Sequence, residues 1–302
     1  MDKQKSSPLS IFLIILSGML WGTTGVFITY LREAGFDPLQ IVFLRSALST
    51  ILLGIFLLIK DKSKFKFKLK DIWIFIGTGI ISLMIFTICN QIAIKYCSMS
   101  IASALLYTSP AFIMIFSAFL FKEKLTGRKV SAIIVTILGC FLVSGILTPG
   151  VTVSTIGVIA GVISGLCYGL YSIFGRYGVE KYDTLTVTFY TFLLVTLATI
   201  PLANLTGIPA IVSSAKGGVI PLMICFGPIT CLAPYLAYTA GLKGTEPGTA
   251  GILATIEPVV STILSIIIFH EVMNWQKVLG IVMILGSVLI VNLRFRKKQK
   301  SV

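Results

Sequence analysis

The sharpest chemical group in this chain is a carboxylate in the middle of an apolar run: Glu257, tenth in the stretch 248–269. An ionised acid at that depth is costly unless it is paired or wetted. On a helix, its neighbours at i−7, i−3, i+4 and i+8 are Ala250, Ala254, Ser261 and Ser265, all small. The opposite side holds Ile252, Ile256, Ile263 and Ile267. The carboxyl therefore points into protein or a wet cavity, not into lipid. Taking an acid out of water favours its neutral form, so the group suits proton uptake and release near neutral pH, or a counter-charge for a cation. The plainer reading is a protonated carboxyl hydrogen-bonded to a neighbouring helix.

Other polar groups kept within apolar runs are candidates for the same cavity. Trp21 and Tyr168 lie at mid-depth, and Tyr107, Tyr235 and Tyr238 carry hydroxyls that need partners. Asn90 and Gln91 close the third run. Each is either packing or cavity lining. Arg45 is a basic group within a run, about 10 Å along it by helical rise; it either snorkels outward or pairs with a carboxylate such as Glu257. Catalytic chemistry finds no support. There is no HExxH, no Walker A pattern and no mid-run aspartate, and the six cysteines form no CxxC pair. The single histidine, His270, stands at the end of a run. No catalytic residue, metal site or cofactor is expected.

The elements that position these groups are read from hydropathy. Only 12% of residues are charged and 56% are hydrophobic, and the mean hydropathy is +0.99. Ten apolar stretches follow at about 10–31, 38–59, 71–94, 100–121, 128–147, 156–176, 184–203, 217–242, 248–269 and 275–293. Each approaches the length that crosses a bilayer as a helix. The first is too long for a signal-peptide core and is kept as a span. The net charge of +14 does not indicate nucleic acid, because its placement alternates with the spans. With the N-terminus inside, 20 of the 25 basic residues fall in cytoplasmic segments, including Lys60–Lys70, and 4 fall outside. That bias orients the protein in the cell membrane with both termini cytoplasmic. The lysine run reads as a topology and headgroup anchor.

The two halves match at an offset near 148 residues. SGMLWGTTGVF (17–27) answers SGLCYGLYSIF (164–174), with Trp21 opposite Tyr168. Pro110 answers Pro258, Glu123 answers Glu271, and Lys-Val at 129–130 answers Lys-Val at 277–278. A duplication into residues 1–148 and 149–302 follows, with five spans in each. Five is odd, so the second copy starts from the opposite face, giving an inverted-topology repeat. Pro110 and Pro258 free the carbonyls of Leu106 and Ala254, and their matched placement predicts hinges. Pro228 and Pro234, with Pro221 and Gly227, predict that the eighth span is the irregular, mobile one; the third span lacks them. Gly157, Gly161, Gly165 and Gly169 predict a close helix seam. Glu123 and Glu271 precede the N-cap types Thr126 and Asn274, where an acid is favoured by the helix dipole.

The passages SPAFIMIFSAFLFKEKLTGRKV (109–130) and EPVVSTILSIIIFHEVMNWQKV (257–278) resemble the paired repeat of the drug/metabolite transporter superfamily, EamA type. Shared features are a mid-helix proline, a glutamate 13 residues on and a glycine-containing span. The resemblance implies ten helices in two inverted repeats, with spans one, three, four, six, eight and nine around a central cavity. It also implies movement of amino acids, other metabolites or drugs. The combined expectation is an all-α membrane protein of ten transmembrane helices, arranged as two inverted-topology five-helix repeats. Its function would be secondary transport of small organic solutes by alternating access, in the export direction, with the proton as candidate coupling ion. An uncoupled, channel-like permease is the alternative. The expected partners are a small-molecule substrate and the lipid bilayer.

Overall fold

A bilayer core offers no water to the backbone, so a spanning segment must satisfy its own amides. This chain does so with helices. The computed structural model describes residues 7–97, 99–145, 153–214, 218–270 and 272–292, and no strand occurs among them. Eight helical stretches are long and apolar enough to cross a membrane, and Thr184–Thr199, Leu205–Ser214 and Trp275–Val291 are shorter apolar ones. The protein is a multi-pass membrane protein. In chain order its elements are α1 (Pro8–Gly22), α2 (Thr24–Glu33), α3 (Pro38–Lys60), α4 (Leu69–Tyr96), α5 (Met99–Leu106), α6 (Ser109–Leu120) and α7 (Gly127–Ser144). The second half holds α8 (Thr155–Lys181), α9 (Thr184–Thr199), α10 (Ile208–Ser214), α11 (Val219–Gly241), α12 (Pro247–Ala254), α13 (Ile256–Phe269) and α14 (Trp275–Asn292). Glu271 lies outside the described residues. The sequence pattern gives no element at 208–214, where α10 stands, and extends the seventh span beyond the end of α9.

Helix starts follow local chemistry. The Asp37 carboxylate accepts from Leu39 N at 2.8 Å and Gln40 N at 2.9 Å, while Gln40 Oε1 accepts from Asp37 N at 2.9 Å. This reciprocal cap opens α3. Thr126 Oγ1 accepts from Lys129 N and Asn274 Oδ1 from Lys277 N, as their positions in the sequence predict.

The two copies run in opposite senses. Ser7, at the start of α1, donates its amide to Gly244 O at 3.1 Å. Its neighbour Lys243 shares Asp183 with Lys64, so α1 begins at the lysine-rich end. Cys97 Sγ lies 3.5 Å from Ser154 O at the start of α8, which therefore begins at the opposite end, beside Lys95. The copies also pack alike. A Cβ on Gly18 would stand 2.7 Å from Ala254 O, and one on Gly165 would stand 2.7 Å from Leu105 O and 3.2 Å from Leu106 O. The carbonyls that Pro258 and Pro110 release thus lie against glycines of α1 and α8. Gly22 faces Glu257 O and Gly169 faces Ser109 O in the same relation. Small residues permit this backbone approach. On the flank, α7 and α14 are pinned where Thr136 Oγ1 donates to Ser287 Oγ at 2.6 Å.

One expectation is corrected. The proline-free third span is more irregular than the proline-rich eighth: α4 is π-helical over Gly77–Ile85, nine residues, against five at Pro228–Leu232 in α11. Side-chain chemistry widens the turn without proline. Ser82 Oγ donates to Gly77 O, five residues back, at 2.7 Å, and Thr78 Oγ1 pairs with Thr191 Oγ1 at 2.6 Å. Gly79 lets Thr191 O approach to where its Cβ would be, 2.8 Å away. A second break, at Thr23 between α1 and α2, is sealed by Thr23 Oγ1 donating to Leu20 O at 2.7 Å.

Candidate functional site

The helical break at Thr255 places Glu257 in the first turn of α13, at the meeting point of two cavities. Trp21, Tyr168, Tyr235 and Glu257 line both. The outer chamber, about 140 Å³, adds Asn90, Gln91, Arg45 and Thr24, and reaches Arg32. Arg32 is exposed at the lysine-poor end, so this chamber communicates with that face. The inner pocket, about 20 Å³, adds Tyr107, Tyr171, Ser172 and Tyr238. It has room for about one water molecule.

The structure therefore brings together all eight predicted cavity residues: Glu257, Trp21, Asn90, Gln91, Tyr107, Tyr168, Tyr235 and Tyr238. The four prolines stand apart from the walls. Pro110 and Pro258 lie in the first turn of the helices that follow the breaks at Tyr107–Thr108 and Thr255, Pro228 opens the π-helical turn of α11, and Pro234 follows that turn. Pattern reading missed Tyr171 and Ser172, although they stand three and four residues after Tyr168, hence on its helical face. It also missed Phe86 and Thr87, carried into the chamber by the π-helical segment before them.

Glu257 combines a cavity position with a hydrogen bond from a neighbouring helix. It faces the cavity, and Tyr168 Oη donates to its Oε2 at 2.8 Å. The surrounding rings form one cluster: Trp21 lies 5.0 Å from Tyr235 and 5.2 Å from Tyr238, and Phe86 lies 5.3 Å from Tyr168, between centroids. Behind them, Tyr171 pairs with Thr239 Oγ1 and Tyr238 with Ser172 Oγ, each at 2.7 Å. Arg45 neither pairs with Glu257 nor leaves the chamber. It is half-buried in the wall, and no ion pair or hydrogen bond engages its guanidinium among the described residues.

The opposite, lysine-rich end is tied together by ion pairs. Lys129 Nζ is gripped between the carboxylates of Glu123 and Glu246, the latter at 2.5 Å. Glu123 is buried and also accepts from Gly248 N at 3.2 Å. An acid of the first copy thereby caps α12 of the second, where the helix dipole favours it. Asp71, also buried, accepts from Lys181 Nζ and Tyr182 Oη, each at 2.6 Å. Arg176 Nη1 donates to Leu242 O at 2.5 Å, and Lys64 pairs with Asp183 at 3.4 Å.

Comparison with known proteins agrees with this architecture. The model of the EamA-like transporter family matches residues 8–145 and 155–293. A protein of Clostridium kluyveri described as an uncharacterized transporter is 27% identical over 287 residues, covering 91% of each chain. An uncharacterized transporter of Archaeoglobus fulgidus is 28% identical, covering 92% of this chain and 94% of its own. Among solved structures, a chain 18% identical superposes with a TM-score of 0.77 over 94% of this chain and 96% of its own, a likeness of fold.

Proposed function

Because this chain belongs to the EamA-like transporter family, we propose that it is a secondary transporter of small organic solutes working by alternating access. The observation that carries the reading is the asymmetry of its two ends. A chamber runs from Arg32 to Glu257 on one side, while Lys129, Glu123 and Glu246 close the other. The positive-inside rule assigns the lysine-rich end, and with it both termini, to the cytoplasm. The conformation is then outward-open. Opening the ion-paired end while closing the chamber at Arg32 would present Glu257 to the cytoplasm instead. The breaks beside Pro110 and Pro258 lie at matched positions for such a movement.

Glu257 is the coupling group in this reading. It takes a proton from one side or faces a cationic solute, and Tyr168 holds it in place. Exchange of an inward-moving proton for an outgoing solute drives export. The test is reconstitution into proteoliposomes with a panel of amino acids and cationic drugs, with and without a pH gradient. Saturable uptake, trans-acceleration and stimulation by the gradient are expected. Glu257→Gln retains exchange and loses the stimulation. Linear flux without trans-acceleration identifies a channel-like permease, and unchanged pH dependence in Glu257→Gln removes the proton from the mechanism.

A further inference from the structure

The outer chamber holds two opposite charges that do not touch. Arg45 is eighth in α3, roughly 10 Å in from the lysine-poor end by helical rise, and Glu257 is roughly 18 Å in from Phe269 at the same end of α13. The offset of about 8 Å by that rise exceeds ion-pair reach, in keeping with the absence of any Arg45–Glu257 pair. A guanidinium left in a membrane-buried wall is costly unless water or a ligand satisfies it. Its planar fork matches the two oxygens of a carboxylate bidentately, as it does a phosphate.

At the deep end the walls offer a cation several ring faces beside one carboxylate. Of the five tyrosine hydroxyls lining the cavities, Tyr168 gives its proton to Glu257, while Tyr171 pairs with Thr239 and Tyr238 with Ser172. The faces and edges of Trp21, Tyr235 and Tyr238 crowd together beside the carboxylate. A primary ammonium demands three acceptors, whereas an alkylated ammonium is held by ring faces and a nearby negative charge.

We propose that the chamber binds betaine-class zwitterions, N-alkylated ammonium carboxylates, with the carboxylate on Arg45 and the ammonium among Trp21, Tyr168 and Tyr235 beside Glu257. The proposal rests on the transporter reading above and names its substrate class. The test is calorimetric titration of the full-length protein in lipid nanodiscs with glycine betaine, γ-butyrobetaine, glycine and choline. At least one betaine binds ten times more tightly than both glycine and choline. Arg45→Met narrows the betaine-to-choline ratio at least tenfold, and Arg45→Lys recovers it only in part, because an ammonium lacks the bidentate fork. Glycine or choline binding as tightly as the betaines, no binding by any of the four, or an unchanged ratio in Arg45→Met each overturns the assignment. The wild-type panel decides the class even where the variant fails to fold. Saturable exchange of another solute in proteoliposomes, with no betaine preference, overturns the class and leaves the transport reading standing. Absence of exchange by every solute overturns that reading itself.

Discussion

The hydrogen bond from Tyr168 to Glu257 ties α8 to α13 within the second repeat. A hydrogen bond to a charged group contributes about 1.5–3 kcal/mol. Tyr168→Phe keeps the ring and removes that donor, so the half-saturating concentration of a cationic solute rises roughly tenfold or more. In the Glu257→Gln background the same substitution has little further effect, because the two groups act as one unit; additive losses in uptake kinetics would refute the link. At the lysine-rich end, Lys129 and Glu246 make unequal predictions. Lys129→Met strands the buried Glu123 carboxylate, a loss of about 3–5 kcal/mol when one partner of a buried pair is removed. Glu246 is 45% exposed, so Glu246→Gln costs about 0–1 kcal/mol. Thermal unfolding in detergent separates the two. At this scale the sequence was informative wherever a polar group interrupted an apolar run, which is how Glu257 and its aromatics stood out. Arg45 was ambiguous because its role depends on which helix faces it across the chamber, and spacing along one helix does not encode that.

Helix contacts here are set by missing side chains more than by present ones. A methyl on Gly22 would meet Val260 Cβ at 2.6 Å and Glu257 O at 2.9 Å, whereas on Gly25 it meets only Ser261 Oγ at 3.7 Å. Gly22→Ala therefore costs about 1–3 kcal/mol by overpacking and impairs uptake, while Gly25→Ala, three residues on, is tolerated. Matched thermal shifts for the two would contradict the packing. The glycine spacing of α1 and α8 was readable in the sequence because the four-residue interval is itself the geometry of a helix face. The π-helical run of α4 was not. It arises from Ser82 bonding back to Gly77 and from Thr78 and Gly79 meeting α9, circumstances that override the local signal of proline in α11.

For the whole molecule, duplication at an offset near 148 residues carried most of the architecture, since an odd number of spans leaves no choice but inversion. Pattern alone did not reveal which end is open, because that depends on how the helices meet in three dimensions. The open end makes its own prediction. In a cysteine-free background, Asn90→Cys reacts with a membrane-impermeant maleimide added to intact cells, and saturating solute slows the reaction. Lys64→Cys reacts only after the membrane is breached. The reverse pattern would turn the molecule over.

The eight-residue helix α12 has one further consequence. Its first turn is held by Glu123 through Gly248 N at 3.2 Å, and its last residue abuts the break that leads to Glu257. Between those ends lies a stiff rod roughly 12 Å long. A ligand that shifts Thr255 by about half an ångström pushes the far tip by the same stroke, enough to carry the 3.2 Å contact past hydrogen-bonding range. In the proposed transport cycle, the carboxylate that meets the solute and the ion-paired clasp at the lysine-rich end are thus two ends of one push-rod.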